Sequence, residues 1–459
     1  MIEYITGLMS RARAAQKEIE YFSQEKVDHM CELIAWASVQ DPFARNLAEL
    51  AVEETRMGDV ESKYAKLMNK IRAGWFDLKG KKSTGIIEED TALGLIKMAK
   101  PVGVVGALIP CTNCEATQVL KAMNAIKSRN AIIMAPHPRG IKTNEMVTNE
   151  MRKALESGGY PADLIIAMDK VSMDNSQELM KQCDLILATG GAGLVTAAYS
   201  SGTPAYGVGA GNAVSIVDET QDMAEVADKI RRSKTFDLAT SCSTENAVLV
   251  KKEIYSDFIK AMEAEGGYLI SADEKPKLQA AMWVDGHLNP NIVAQPAAKI
   301  SGMAGIELPE GTKFMMVEET GIGADYPFSG EKLSVVATIY QWDNFDDAIE
   351  MVNDITNYSG AGHSCGIHTS NKDRILKLAE RVKISRVIVN QPQCLANSGS
   401  WINGMPTTLT LGCGTWGGNI SSENVTWKHL MNTTWVTSPI PNRQPTDEEL
   451  FSSTVRSGQ

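Results

Sequence analysis

The pattern of apolar positions divides the chain into a helical start and a long stretch of alternating strands and helices. From residue 3 to about 80, apolar residues recur every three or four positions, as at Ile5, Leu8, Met9 and Ala12, which is the period of an amphipathic helix. From about residue 95, apolar runs of strand length alternate with helical segments. These runs lie at 101–110, 130–138, 162–169, 183–190 and 213–219. Apolar strands separated by helices are typical of a parallel sheet covered on both faces.

The alternation of strands and helices returns in the second half of the chain. Strands are predicted there at 245–252, 334–342, 364–370 and 385–392. We therefore predict an α/β protein with two doubly wound Rossmann-type domains and a helical N-terminal segment. The predicted domains are residues 1–232 and 233–427. Residues 428–459 are expected to return to the first domain or to form an oligomer interface.

Composition and charge exclude several classes of protein. The 459 residues include 45 Lys and Arg against 56 Asp and Glu, a formal net charge of −11. This argues against a nucleic-acid partner, because binding to the phosphate backbone needs clustered Lys and Arg. No stretch is typical of a signal peptide or approaches the roughly 20 apolar residues of a membrane span. The eight cysteines are therefore interpreted as free thiols, and we expect a cytoplasmic protein without a membrane partner.

Cys242 lies in the polar segment FDLATSCSTEN (236–246), between a predicted helix and a predicted strand. A free cysteine is most often a small buried hydrophobic residue. However, a loop between two α/β domains is where ligand clefts form, and polar neighbours can stabilise a thiolate there. Cys242 is therefore a candidate nucleophile, with a core position as the alternative.

The segment CTNC (111–114) follows a predicted strand. CxxC spacing occurs in redox and zinc sites, but the sequence holds no second CxxC, and we predict no metal. Asn113, between the two cysteines, is either a donor to a developing oxyanion or an ordinary turn-forming residue.

Two glycine clusters follow one another closely. Thr189, Gly190 and Gly191 stand where a predicted strand gives way to a helix, and such a turn offers backbone N–H groups to a phosphate. The spacing is not GxGxxG, so a plain tight turn is an equal alternative. The second cluster, GVGAGN (207–212), is typical of a loop with close backbone packing.

Seven stretches taken together resemble the CoA-acylating branch of the aldehyde dehydrogenase superfamily. They follow the family's order and spacing from about residue 100 to 430. They are IPCTNCEAT (109–117), RNAIIMAPHPR (129–139), ATGGAGLVTAAYSSGTPAYGVGAGN (188–212), FDLATSCSTEN (236–246), GEKLS (330–334), GAGHS (360–364) and LTLGCGTWGGNISSENV (409–425).

The resemblance implies a role for several residues. Cys242 would attack an aldehyde carbonyl and later carry a thioester, while Asn113 and the Cys242 backbone N–H would hold the oxyanion. Glu331 would bind the nicotinamide ribose, the turn at 188–193 would face the pyrophosphate, and His363 would lie near the reaction centre. The first domain would bind the cofactor and the second would be catalytic. Members of the superfamily are usually dimers or tetramers, so we expect a homo-oligomer.

The resemblance also indicates what accepts the acyl group. Hydrolytic members of the superfamily carry a glutamate, in an E-L-G-G-K motif, that activates water against the thioester. The corresponding stretch here is GVGAGN, which has no carboxylate. The thiol of coenzyme A would therefore take the acyl group, in a reversible reaction whose product is acyl-CoA.

The end of the second predicted strand bears on the choice of nicotinamide nucleotide. It carries Pro136, His137 and Arg139, with Lys142 beyond. In NAD enzymes an acid near this point usually binds the ribose hydroxyls, whereas a basic, acid-free end tolerates a 2′-phosphate. We expect NADP, with NAD as the alternative. The alternative is that Arg139 and Lys142 only face solvent.

The hydroxyl groups beside the cysteine bear on the substrate. Thr240, Ser241 and Ser243 supply donors that suit an aldehyde with an anionic tail, or else they only hold the loop. The whole sequence is most similar to acylating sulfoacetaldehyde dehydrogenases and next to acylating succinate-semialdehyde dehydrogenases. The expected substrate is sulfoacetaldehyde. Succinate semialdehyde and short aliphatic aldehydes, such as acetaldehyde or propionaldehyde, are the alternatives.

Overall fold

The computed structural model describes residues 2–457 and begins with packed helices. The apolar stripe predicted here is buried, with Ile5, Ala12 and Ile19 fully enclosed. Ser23 and Asp59 cap two of the helices, because their side chains accept hydrogen bonds from backbone N–H groups of the first turn. The helices are α1 (Ile2–Ile19), α2 (Gln24–Ser38), α3 (Phe43–Thr55), α4 (Val60–Lys66) and α5 (Arg72–Leu78). A π-helical segment, Leu67–Ile71, joins α4 to α5.

A hairpin and then a five-stranded parallel sheet follow. The hairpin is β1 (Ile86–Asp90) and β2 (Leu95–Pro101). The sheet and its helices are β3 (Val104–Ile109), α6 (Cys114–Lys127), β4 (Ala131–Pro136), α7 (Ile141–Ser157), β5 (Ile165–Ala167), α8 (Met173–Gln182), β6 (Leu185–Thr189), α9 (Ala192–Tyr199) and β7 (Ala205–Val208). The strand order is β5-β4-β3-β6-β7. Every residue of β3 and β4 is buried, which is why these strands are continuous apolar runs.

A seven-stranded parallel sheet forms the second half. Its elements, with one small hairpin (β11–β12), are β8 (Ala213–Val217), α10 (Met223–Thr235), β9 (Glu245–Lys251), α11 (Tyr255–Ala264), β10 (Gly267–Leu269), α12 (Lys275–Met282), β11 (Trp283–Val284), β12 (His287–Leu288), α13 (Ala297–Ala304), β13 (Phe314–Glu318), β14 (Val336–Trp342), α14 (Phe345–Tyr358), β15 (Cys365–His368), α15 (Lys372–Arg381), β16 (Val387–Val389) and α16 (Gln393–Ala396). The strand order is β10-β13-β14-β9-β8-β15-β16. The two parallel sheets confirm the predicted α/β class.

One strand lies in a different sheet from the one predicted. β8 falls inside the predicted first domain, 1–232, yet it pairs with β9 and β15 of the second sheet. The change of sheet therefore occurs between Val208 and Ala213 and not near residue 232. All five residues of β8 are buried, like those of β3 and β4, so periodicity could not indicate which sheet it joins.

The C-terminal part of the chain returns to the hairpin. β17 (Met431–Thr437) pairs with β2 along its whole length and completes a three-stranded antiparallel sheet. Two short helices, α17 (Asp447–Leu450) and α18 (Ser453–Arg456), follow. The antiparallel sheet was not predicted, because its outer strands β1 and β17 are largely exposed and lack the apolar runs of the parallel ones. Within residues 2–457, no helix is long and apolar enough to cross a membrane.

Candidate active site

A cavity of about 780 Å³ lies where the carboxyl ends of β3, β4 and β6 face the loop that precedes β9. Most of the predicted site residues line it. They are Asn113, Pro136, His137, Thr189, Gly190, Gly191, Thr240, Ser241, Cys242, Ser243 and Glu331. His363 lies behind Cys242, and Arg139 is not part of the wall. The fold thus brings together residues from both sheets that are far apart in sequence.

Cys242 and His363 form a hydrogen-bonded pair. The Cys242 sulfur lies 3.0 Å from Nε2 of His363, and Nδ1 of the same ring lies 2.9 Å from the Ser364 hydroxyl. Burial lowers the pKa of His363 to about 3, and burial followed by the carboxylate of Glu331 raises the pKa of Cys242 to about 12. The resting pair is therefore a neutral thiol beside a neutral imidazole, and the tautomer with the proton on Nδ1 leaves Nε2 as the acceptor of the thiol proton.

Arg386, at the end of the loop before β16, supports this pair from behind. Its Nη2 donates to the His363 carbonyl oxygen at 2.9 Å, and the side chain is 4% exposed. Its positive charge opposes protonation of His363 and favours a thiolate at Cys242. Arg386 thus partly offsets the cost of forming a buried thiolate.

Glu331 and the GVGAGN segment meet beside the nucleophile. Oε1 of Glu331 accepts a hydrogen bond from the Gly211 backbone N–H at 3.0 Å, and burial raises the pKa of this carboxyl to about 8. A Cβ at Gly211 would lie 2.1 Å from the Cys242 carbonyl oxygen, so only glycine fits. The close backbone packing predicted for 207–212 is therefore packing against the cysteine loop itself.

Asn113 is held in one orientation by Lys66. The Lys66 ammonium donates to Oδ1 of Asn113 at 2.5 Å. An ammonium cannot accept a hydrogen bond, so the oxygen of the amide must face it. Among residues 2–457, Nδ2 makes a single contact, a long one of 3.4 Å to the Thr112 hydroxyl. The amide is thus arranged as a donor, which is the orientation an oxyanion requires.

A buried cluster of four charges holds the loop before Cys242. Lys66 donates to Asp237 at 2.6 Å and to Glu115 at 3.0 Å, and Lys63 donates to Asp237 at 3.0 Å. All four side chains are at most 5% exposed. Asp237 begins a run of three residues with positive φ, at 48°, 49° and 65°. Such a run is unfavourable for residues other than glycine, and the ion pairs at Asp237 stabilise it.

The hydroxyl groups beside Cys242 make contacts within the loop. Thr240 donates to Asp237 at 2.8 Å and is 2% exposed. The Ser241 and Ser243 hydroxyls lie 2.8 Å apart, and both residues line the cavity. Thr240 therefore ties the loop to the charge cluster, while Ser241 and Ser243 share one hydrogen bond at the wall.

The first sheet presents a turn suited to a nucleotide. α9 begins directly after Gly191 without a side-chain cap, and the Thr189 hydroxyl is buried with no partner within residues 2–457. Both features leave donors free for a phosphate. The sequence at the end of β4 contains no acid, but an acidic side chain from another helix lies close to it in space. Glu54 of α3 accepts hydrogen bonds from the backbone N–H groups of Lys142 and Thr143 at 2.7 and 2.8 Å.

Comparisons with known proteins identify the family of the chain. The sequence profile of the aldehyde dehydrogenase family matches residues 5–279 and 329–407. The chain belongs to the aldehyde dehydrogenase family.

Relatives place this aldehyde dehydrogenase on the acylating branch, as the sequence predicted. An acylating sulfoacetaldehyde dehydrogenase of Bilophila wadsworthia is 45% identical over 97% of each chain. An acetylating succinate-semialdehyde dehydrogenase of Clostridium kluyveri is 40% identical, over 93% of this chain and 94% of that one. The crystal structure of an acetylating aldehyde dehydrogenase from Geobacillus thermoglucosidasius superimposes with a TM-score of 0.93 at 37% identity, over 97% of this chain and 98% of that one. The protein is an acylating aldehyde dehydrogenase.

Sequence reasoning missed the lysines and acids around the nucleophile of this aldehyde dehydrogenase. Lys63, Lys66 and Lys70 recur at helical spacing on one face, which is the signal that was available. Asp237, the partner of Lys63 and Lys66, lies more than 170 positions from both, so no local pattern links them. Arg386 was also missed, because a single arginine before a predicted strand gives no sign of a functional role.

Proposed function

We propose that this enzyme converts sulfoacetaldehyde and coenzyme A to sulfoacetyl-CoA, reversibly, with NADP as the preferred nucleotide. The observation that carries the acylating chemistry is the Cys242–His363 pair at 3.0 Å beside a 207–212 segment without a carboxylate. The relative that supports the substrate is the sulfoacetaldehyde dehydrogenase, at 45% identity. Succinate semialdehyde is the second candidate, because an acetylating enzyme for it is 40% identical.

The reaction begins at Cys242. As its sulfur bonds to the aldehyde carbon, the thiol proton passes to Nε2 of His363 and the carbonyl oxygen becomes an oxyanion. Nδ2 of Asn113 and the Cys242 backbone N–H are the proposed donors to that oxyanion, a contribution of about 2.7–4 kcal/mol per donor in comparable sites. The product of this step is a hemithioacetal on Cys242.

The nucleotide site supplies the oxidant. The free N–H groups of α9 and the Thr189 hydroxyl fit the phosphates, and Glu331 fits the ribose of the nicotinamide. When bound there, NADP provides a hydride acceptor. Loss of hydride from the hemithioacetal carbon restores the carbonyl and leaves a thioester on Cys242. The preference for NADP rests on the basic end of β4. The carboxylate of Glu54, which reaches the start of α7 from α3, is the feature that favours NAD.

Acyl transfer completes the cycle. The proton taken by His363 leaves to solvent, and the imidazole then takes the proton of the CoA thiol as that sulfur attacks the thioester. The same proton returns to Cys242 as its sulfur leaves. No carboxylate in 207–212 activates water in competition. The net products are acyl-CoA, reduced nucleotide and one proton.

The test is an aldehyde panel with each nucleotide, with and without CoA. We expect nucleotide reduction to require both CoA and aldehyde, to be fastest with sulfoacetaldehyde, and to disappear in Cys242→Ala. Steady formation of free acid without CoA would contradict the acyl transfer. Preference for acetaldehyde or propionaldehyde would contradict the anionic substrate.

We also propose that the enzyme is a homo-oligomer assembled through the antiparallel sheet. Its strand β17 exposes Trp435 and Val436, at 57% and 42%, and Ile86 of β1 is 44% exposed. Trp435 and Val436 point to opposite faces of the sheet, so each face carries an exposed apolar side chain that a partner subunit would cover. Sedimentation analysis of Trp435→Glu is expected to show a smaller assembly than the unmodified protein, and an unchanged mass would contradict this interface.

A further inference from the structure

Lys70 is a buried cation in the wall of the substrate cavity. It lies in the π-helical segment Leu67–Ile71, a type of irregularity that is frequent at functional sites. The residue is 9% exposed and lines the same cavity as Cys242. Its ammonium donates to the carbonyl oxygens of Leu395, at 3.0 Å, and Gly399.

The charge of Lys70 is not balanced by the protein. Lys63 and Lys66 are matched by Glu115 and Asp237, so that cluster is neutral. Within residues 2–457, no carboxylate oxygen lies within 4.0 Å of the Lys70 ammonium. In the described part of the chain, two carbonyl groups satisfy two of its three N–H donors and leave the third free. A buried cation in this state is costly unless an anion joins it.

The position of Lys70 relates it to the reaction centre. Lys66, about one helical turn earlier and therefore roughly 6 Å away, holds the amide of Asn113. The segment that binds Lys70 also contributes Leu395 and Ser398 to the cavity wall. Lys70 thus lies on the part of the wall next to the residues that hold the Asn113 amide.

Other buried lysines provide a contrast. Lys121 also donates to two backbone carbonyls, of Leu108 and Leu187 at 2.9 and 3.0 Å, and is 3% exposed. However, Lys121 does not line the cavity. In the core, the two hydrogen bonds of Lys121 therefore tie strands together, whereas Lys70 makes the same kind of hydrogen bonds at the wall of the cavity.

We propose that Lys70 determines specificity by binding the anionic tail of the aldehyde, with its free N–H donating to a sulfonate or carboxylate oxygen. This inference rests on the proposed function, since it assumes an anionic aldehyde. Electrostatic pairing with a buried ammonium favours such a substrate over a neutral aldehyde of similar size. Ser241 and Ser243 also line the cavity, but their hydroxyl groups are neutral and do not supply a charge to an anionic tail.

The test compares kcat/KM for sulfoacetaldehyde, succinate semialdehyde and propionaldehyde in the full-length enzyme and in Lys70→Met. The ratio of an anionic to the neutral aldehyde is expected to fall about 10- to 100-fold, which corresponds to one charged hydrogen bond. We expect the fall in kcat/KM to come mainly from a higher KM. The anionic aldehyde that shows this fall carries the tail that Lys70 binds. Lys70→Gln keeps donors for the two carbonyls without the charge, and should show the same change in ratio if Lys70→Met folds poorly.

Lys121→Met is the matched control, since it removes an equally buried ammonium outside the cavity. It is expected to lower kcat/KM for all three aldehydes by the same factor. If Lys70→Met and Lys70→Gln also do so, Lys70 only ties its helix to Leu395 and Gly399 and the assignment is wrong. An unmodified enzyme that prefers propionaldehyde to both anions refutes the anionic substrate itself, and with it the role of Lys70. An anion preference that survives both Lys70 variants refutes the Lys70 assignment alone.

Discussion

Substitution of Asp237 by Asn removes one negative charge from the buried cluster with little change of shape. Asp237 accepts four hydrogen bonds, from the Asp59 backbone N–H at 3.0 Å, Lys63 at 3.0 Å, Lys66 at 2.6 Å and Thr240 at 2.8 Å. Asparagine tolerates the left-handed backbone found here, with φ 48° and ψ 36°. The substitution therefore tests the charge and not the backbone.

The expected loss of stability follows from the charge balance. In the unmodified protein two lysines face two carboxylates at 5% exposure or less. In Asp237→Asn they face one, and an uncompensated buried charge costs about 3–5 kcal/mol. Whichever way the new amide turns, its NH₂ faces a donor, because Oδ1 accepts from the Asp59 backbone N–H and Oδ2 accepts from both lysines. Because Leu238 and Ala239 keep their positive φ only while Asp237 is anchored, we also expect Cys242 to move and turnover to fall.

Urea unfolding followed by tryptophan fluorescence measures this loss, with Glu88→Gln as control. Glu88 pairs with Lys97 at 2.7 Å but is 59% exposed, and such surface pairs contribute about 0–1 kcal/mol. A loss at Asp237→Asn no larger than at Glu88→Gln would refute the reasoning. Burial disfavours the charged form of Asp237, but Lys66 and then Lys63 outweigh it and keep its pKa below the ordinary value. Its contribution should therefore be complete above the ordinary pKa of aspartate and disappear as pH falls through the lower folded value.

Three further predictions concern the reaction centre. Asn113→Ala should lower kcat about 10²- to 10³-fold, because one oxyanion donor is lost, while its far-ultraviolet circular dichroism spectrum stays that of a folded protein. Steady-state kinetics that show less than a tenfold loss would exclude this role. Alkylation of Cys242 by iodoacetamide in the free enzyme should rise about tenfold per pH unit between pH 7 and 10, because its pKa is raised to about 12; a rate that levels off by pH 8 would mean a preformed thiolate. The KM for an anionic aldehyde should rise above pH 8, because burial, opposed by Cys394 and reinforced by Lys66, lowers the pKa of Lys70 to about 8. Propionaldehyde serves as the control for the last experiment, since Glu331 also has a pKa of about 8 and would affect both substrates.

The linear order of residues was enough to predict much of this protein. Continuous apolar runs located the central strands, as 101–110 became β3 at Val104–Ile109 and 130–138 became β4 at Ala131–Pro136. Buried parallel strands leave this signal in any sequence, because both of their faces need apolar side chains. The motifs around Cys242, Asn113 and Glu331 identified the family, and these three residues do line one cavity.

Tertiary structure decided what no local pattern contains. β8 joins the second sheet although its apolar run is like that of β3, because strand pairing depends on long-range contacts. Lys63 reaches Asp237 across 174 positions, and this ion pair sets the loop that carries the nucleophile. Glu54 brings an acid to a strand end that is basic in sequence. Lys70 has no partner in the linear pattern, and only the folded chain places its buried charge at the wall of the cavity. Periodicity reports which residues are buried, whereas the three-dimensional contacts determine what each buried charge meets.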